Sequence, residues 1–307
     1  MPAPQKNALH AQPKLQRNFV QAFLQLIRLP NLFTAAADPL AGALAAAGLL
    51  GLPLHWPAAL AAAAVGVFLY AGGVVLNDYV DLKEDSQDRP DRPLPSGEVS
   101  PAEALAVSVC LFGIGAGLAL IALPSGAKWT VLALILSILL YNIWAKHVPV
   151  AGPIVMGACR ALNIYVGLWT VTGGVEALWW VGLLSLGHFA AFTYLGEAEA
   201  STPSPSQIAA VFLAAAAVSG VLVWQLGTAW MTLLAVGVYF LINVESAIRL
   251  IRERVGANVH RGVKRGILSH VLIHVAVVGA LAGIGYGLIP LFLLGASTVA
   301  ARTLVMT

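Results

Sequence analysis

Asn77-Asp78-Tyr79-Val80-Asp81-Leu82-Lys83-Glu84-Asp85-Ser86-Gln87-Asp88-Arg89-Pro90 interrupts an otherwise apolar chain. Six of the fourteen acidic residues fall between positions 78 and 91: Asp78, Asp81, Glu84, Asp85, Asp88 and Asp91. The segment follows directly on an apolar run at 57–76. Continued as a helix from that run, at about 100° per residue, it places Asp78, Asp81, Asp85 and Asp88 within an arc of about 80°. Like charges this close repel one another unless a cation neutralises them. Oxygen ligands suit Mg²⁺, which takes one or two carboxylates, keeps several waters and completes its shell with substrate phosphates. The spacing therefore predicts a metal-bridged diphosphate site where a membrane helix meets water. Arg89 and Arg92 follow at once and can hold phosphate oxygens bidentately. A merely solvated acidic loop would leave both the shared face and the adjacent arginines unexplained.

The flanking sequence sets this cluster in a membrane. Of the 307 residues, 59% are hydrophobic and only 10% charged, with a net charge of +3. Soluble domains carry about 25% charged residues, so a cytosolic enzyme, a secreted disulfide scaffold and a nucleic-acid binder are excluded on composition. A span needs about 20 apolar residues. Nine candidates emerge, near 32–51, 57–76, 102–123, 129–145, 148–172, 177–195, 207–226, 228–248 and 267–289. The stretch 290–301 is apolar but short, and Pro290 divides it from the ninth. The expected architecture is all-α: one polytopic membrane bundle of about nine helices over 1–307. Cys110 and Cys159 sit in apolar runs and read as small buried hydrophobes.

Residues 1–28 read as a cytoplasmic, interfacial lead-in rather than a cleavable signal. Leu15, Phe19, Phe23, Leu26 and Ile27 recur at helical spacing among polar residues, as in a helix lying on the membrane surface. With this end inside, fourteen of the seventeen lysines and arginines fall on inside segments, six of them in 249–265. That asymmetry follows the positive-inside rule, and the basic loop would attract anionic membrane lipid. Trp56, Trp129, Trp179 and Trp180 fall near span ends, as an interfacial belt does.

Charged groups inside a span usually line a cavity or pair. Asp38 and Arg160 lie about 10 Å and about 18 Å from the inside surface, at about 1.5 Å per residue. They are expected either to pair or to let Arg160 face the diphosphate. Asn163, three residues on, shares the Arg160 face. His188, His270 and His274 read as packing or hydrogen-bonding residues, although 270 and 274 have ligand-like spacing. Glu245 is expected to pair with Arg249 one turn away.

Asn77-Asp78-x-x-Asp81-x-x-x-Asp85 followed by Arg92-Pro93-Leu94-Pro95-Ser96-Gly97 resembles the first aspartate-rich signature of the UbiA superfamily of intramembrane prenyltransferases. Arg28-Leu29-Pro30-Asn31 resembles that family's opening of its first span, and Tyr141 with Lys146 its tyrosine–lysine pair, here five residues apart. Cys159-Arg160-Ala161-Leu162-Asn163 resembles a UbiA-like branch labelled EboC. The resemblance implies a helical bundle of about nine spans, with Mg²⁺ and a prenyl diphosphate held at the first signature. A second Asp-x-x-x-Asp signature, after the sixth span, binds a second Mg²⁺ in the family. Here that loop reads Tyr194-Leu195-Gly196-Glu197-Ala198-Glu199-Ala200, so Glu197 and Glu199 are the available carboxylates.

The resemblance implies transfer of a prenyl chain from a prenyl diphosphate to a lipophilic acceptor, aromatic or otherwise. Asp78, Asp81 and Asp85, with Glu197 and Glu199, are the expected metal ligands. Lys146 and Arg160 join the three aspartates as expected catalytic groups. Arg28, Asn31, Asn77, Asp88, Arg89, Arg92, Tyr141, Asn163, Glu197 and Glu199 are expected to bind substrate. The expected location is a bacterial inner (plasma) membrane. Two alternatives stand beside the enzyme. One is a non-catalytic UbiA-like protein that binds an isoprenoid or serves a biosynthetic or export assembly, which the altered second signature favours. The other is a transporter, for which an inverted repeat would be the sign; the sequence shows none.

Overall fold

A computed structural model describes residues 19–171, 176–199 and 201–305, and these form an all-helical bundle with no strand among them. In chain order the helices are α1 (Phe19–Leu26), α2 (Leu29–Leu50), α3 (Trp56–Val80), α4 (Leu82–Asp88), α5 (Pro101–Ala122), α6 (Ser125–Ile143) and α7 (Ala151–Thr170). They continue with α8 (Trp179–Gly196), α9 (Pro205–Leu226), α10 (Trp230–Arg252), α11 (Gly256–Ser269), α12 (Val271–Leu281) and α13 (Ile284–Val305). Among the described residues, ten stretches are long and apolar enough to cross a membrane, α11 and α12 together making the ninth. The chain is a multi-pass membrane protein.

The helical bundle is the one the sequence predicts, and the tenth span is the difference. Gly283 has φ 97°, a left-handed turn that ends the ninth span near Leu281. The apolar chain then restarts at Ile284, and Pro290 lies within α13. The predicted division at Pro290 is therefore replaced by one at Gly283. The start of the predicted surface helix at Leu15 lies outside the described residues. Its remainder is α1, whose Ala22 and Leu26 pack with Val75 and Leu94.

α2, α3, α7, α8 and the ninth span form the buried interior, while α5, α6, α9 and α13 surround it. The outer helices leave large apolar side chains uncovered, such as Ile121 at 88% exposure and Trp224 at 80%. Uncovered apolar surface on this scale faces lipid. Cys110 belongs to this outer layer and is exposed, contrary to its expected burial, whereas Cys159 is half-buried. Trp180 likewise leaves the expected interfacial belt for the core.

Two glycines bring α2 and α7 into backbone contact. A Cβ on Gly167 would lie 1.8 Å from the Pro39 carbonyl oxygen, and one on Gly42 would lie 2.4 Å from that of Ile164. Small residues at such crossings are the usual device for close packing in membranes. Pro39 lies inside α2 and lacks the N–H that would bond the Ala35 carbonyl. Asn163 Nδ2 supplies the missing donor at 2.9 Å. The same amide donates to Asp38 Oδ2 at 3.1 Å.

Candidate functional site

The cytoplasm-side prediction for the acidic segment begins with a helix continued past Val80. α3 instead stops there, and Asp81 (φ −87°, ψ 6°) joins it to α4. Asp78 and Asp85 are buried, while Asp88 ends α4 as an exposed residue. Of the four predicted carboxylates, Asp78 and Asp85 share Arg92, Asp81 pairs with Lys146, and Asp88 is exposed.

Each clustered carboxylate is held by a cation. Arg28 Nη2 donates to Asp78 Oδ1 at 2.8 Å. Arg92 Nη1 reaches both Asp85 Oδ2, at 2.6 Å, and Asp78 Oδ1, at 3.4 Å. Arg89 stands 3.7 Å from Asp85. Lys146 Nζ donates to Asp81 Oδ1 at 2.5 Å, and Asn77 Nδ2 to Asp81 Oδ2 at 2.8 Å. Arg28 adopts a left-handed conformation between α1 and α2 (φ 52°, ψ 55°), which is uncommon for a residue with a Cβ. Burial works against its charge, but Asp78 beside it prevails and its pKa is raised.

A cavity of about 490 Å³ opens beside this cluster. Its polar lining includes Arg28, Asn31, Asn77, Arg89, Tyr141, Lys146, Glu197 and Glu199. Leu69, Leu134, Ile138, Met156, Phe189, Phe192 and Ile267 supply apolar walls, with Arg160 and Asn163 on the α7 side. Asp78, Asp81 and Asp85 stand behind the lining cations Arg28, Lys146 and Arg89. Arg160 pairs with Asp38 at 3.0 Å inside the bundle, the first of the two expected arrangements.

Glu197 and Glu199 follow the C-terminus of α8 and border the same cavity as Asn77 and Lys146. Partial burial pushes the Glu197 carboxyl up. Glu199 lies 3.7 Å from His260. The ligands expected from the sequence, Asp78, Asp81, Asp85, Glu197 and Glu199, offer oxygen alone, and the two glutamates line the cavity. A guanidinium bridging Asp78 and Asp85 shows that both carboxylates can serve one cation. Such oxygen donors, with room for water and phosphate, fit Mg²⁺.

Sequence reasoning missed Tyr70, which accepts from Asn31 Nδ2 at 3.1 Å. It also missed Gly66 and Gly73, which line the cavity with Tyr70 and Asn77. The signal was present: positions 66, 70, 73 and 77 follow helical periodicity along one face of α3. Phe189 and Phe192, on α8, carried no comparable mark.

The helical bundle thus encloses one cavity that joins apolar walls to charged and polar side chains. The chain belongs to the UbiA prenyltransferase family, whose model matches residues 39–241. It is 36% identical over 156 residues to a digeranylgeranylglyceryl phosphate synthase of Methanothrix thermoacetophila, covering 50% of this chain and 54% of that one. A synthase of the same name from Halobacterium salinarum is 35% identical over 158 residues, covering 52% and 53%. The chain thus spans about half the length of the curated relatives it matches.

The fold resembles the apo structure of a UbiA homolog from Aeropyrum pernix K1, with a TM-score of 0.63, 16% identity and coverage of 80% and 97%. It also resembles a UbiA homolog from Archaeoglobus fulgidus bound to GPP and Mg²⁺, with a TM-score of 0.55, 16% identity and coverage of 83% and 99%.

Proposed function

We propose that this protein transfers a prenyl chain from a prenyl diphosphate to a lipophilic acceptor inside the membrane. The observation that carries the reading is one cavity lined by cations that pair with Asp78, Asp81 and Asp85, and walled by aliphatic and aromatic side chains. Family membership and neighbours bound to GPP or DMAPP with Mg²⁺ support it.

Asp78, Asp81 and Asp85 would hold Mg²⁺ with the diphosphate, and Glu197 and Glu199 would approach from the α8 side. When bound, Mg²⁺ neutralises charge on the leaving diphosphate. Arg28, Arg89, Arg92 and Lys146 are placed to exchange their carboxylate partners for phosphate oxygens and so stabilise the departing charge. Asn31, Asn77 and Tyr141 would orient the headgroup. Apolar walls would receive the prenyl chain and keep water from an allylic cation before the acceptor captures it. The bundle would sit in a plasma membrane, bacterial or archaeal, with the acidic mouth and the N-terminal segment on the cytoplasmic side.

The test supplies purified protein with Mg²⁺, a panel of prenyl diphosphates and lipophilic acceptors, and measures diphosphate release and the prenylated product. Release of diphosphate with chain-length preference is expected. A second reading, a non-catalytic isoprenoid binder, is favoured by glutamates at 197 and 199. It predicts saturable prenyl diphosphate binding without release, and that result would overturn the enzymatic proposal.

A further inference from the structure

Behind Arg160, a second constellation lies outside the mouth and its aspartates. We propose that Asp38, His270 and His274 bind a first-row divalent transition ion, Zn²⁺ or a close relative. Asp38 comes from α2, His270 sits at the junction of α11 and α12, and His274 follows one turn later on α12. Their exposures are 0%, 0% and 1%.

The unused atoms converge. His274 Nε2 lies 3.5 Å, and His270 Nδ1 3.8 Å, from the same Asp38 Oδ1. One donor atom from each residue falls within 4.8 Å of the other two. Neither imidazole nitrogen has a hydrogen-bond partner, and His274 Nδ1 has none either. Bonds of about 2.1 Å to a tetrahedral ion require donor separations of about 3.4 Å. The two distances to Asp38 need only a few tenths of an ångström of adjustment.

The surroundings select these two histidines. His270 Nε2 meets Ser185 Oγ at 2.7 Å, so a proton on Nε2 can be donated to Ser185 and Nδ1 left free to ligate. This outer contact is the kind that orients a metal-binding imidazole. His188, whose ring centroid is 5.4 Å from that of His270, has both nitrogens engaged by Tyr239 and the Gly266 carbonyl. It therefore offers no ligand.

Two imidazoles and one carboxylate suit Zn²⁺, Co²⁺ or Fe²⁺ better than Mg²⁺. Arg160 donates to the same Asp38 oxygen, so ion and guanidinium share that charge. Arg160 also stacks over Phe189, 4.5 Å from the ring centroid, a contact that does not involve Asp38. The extra positive charge calls for a small anion, hydroxide being the simplest, at the fourth position. The bound ion would tie the first span to the ninth.

Co²⁺ is the probe. Full-length protein is purified in detergent, stripped with chelator, given Co²⁺ and passed through a desalting column. Expected results are one retained Co²⁺ per chain, an intense visible band from tetrahedral nitrogen ligation, and displacement of the band by Zn²⁺. Asp81→Ala, at the mouth, should preserve the band, whereas His274→Gln and Asp38→Asn should abolish it. Co²⁺ should raise the melting temperature of the wild type but not of His274→Gln. Absence of stoichiometric retention or of the tetrahedral band in the wild type would overturn the proposal, whatever the variants' stability. Survival of the band in folded His274→Gln, or its loss in Asp81→Ala, would overturn it as well. Because no prenyl substrate enters, the result is independent of the transfer reaction.

Discussion

Asp81 lends itself to chemical test, because each of its oxygens has a different partner. Lys146 holds one and Asn77 the other. If Asp81 is a Mg²⁺ ligand, these contacts are exchanged when metal and diphosphate arrive. Asp81→Ala should then abolish Mg²⁺-dependent binding of a prenyl diphosphate analogue in calorimetry; unchanged affinity would remove Asp81 from the metal site. The Asp38–Arg160 pair makes a separate point about stability. Both partners are buried, and breaking a buried pair from one side commonly costs about 3–5 kcal/mol. Arg160→Leu should therefore lower unfolding stability by that order, with partial recovery in Asp38→Asn/Arg160→Leu. Equal losses in the single and double variants would show that charge burial is not the cause. The sequence marked both charges as anomalous in an apolar run. It could not show that Asn163 would serve Ala35 and Asp38 together, since that depends on the Pro39 gap meeting α7 across more than a hundred residues.

At the scale of elements, helical periodicity exposed the acidic face but not its end. The bend at Asp81 is a backbone event that periodicity does not carry, and Asp88, expected on the shared face, ends α4 as an exposed residue. Periodicity likewise could not show that Gly167 would meet the Pro39 carbonyl. A Cβ there requires the helices to move apart, and overpacking of this kind typically costs about 1–3 kcal/mol or more. Gly167→Ala should lower the melting temperature in detergent by several degrees, while Gly187→Ala, with open space around its Cβ position, should change it little. Equal effects would disconnect the α2–α7 contact from stability. The α8 terminus decides a chemical question. Glu197→Gln and Glu199→Gln together should reduce any prenyl-transfer turnover about a hundredfold or more, the scale of losing a charge-stabilising contact, without changing the melting temperature. Undiminished transfer by the double variant would show that the α8 carboxylates are not ligands.

For the whole molecule, composition alone implied a membrane bundle, because hydrophobic content leaves too few charges to cover a soluble surface. The count of spans was harder to read. A glycine in a left-handed turn carries no hydropathy signal, so the pattern points to Pro290 as the break where the backbone turns at Gly283. The correction bears on orientation. Each span reverses the chain, so α13 returns it to the side of the acidic mouth and carries Arg302 there. Among the described basic residues Lys128 alone then lies on the opposite side, which sharpens the positive-inside asymmetry. The prediction uses single cysteines in a background lacking Cys110 and Cys159. Ser86→Cys, Ala257→Cys and Thr303→Cys should resist an impermeant thiol reagent in intact cells and react after permeabilisation, while Ser125→Cys should react in both. Ala257 is chosen beside Gly256 because a Cβ on Gly256 would lie 2.3 Å from the Glu199 carbonyl oxygen. Labelling of Thr303→Cys alone from outside would restore nine spans. Labelling of Ser86→Cys or Ala257→Cys from outside would reverse the bundle, and the mouth would then draw its diphosphate from the opposite compartment.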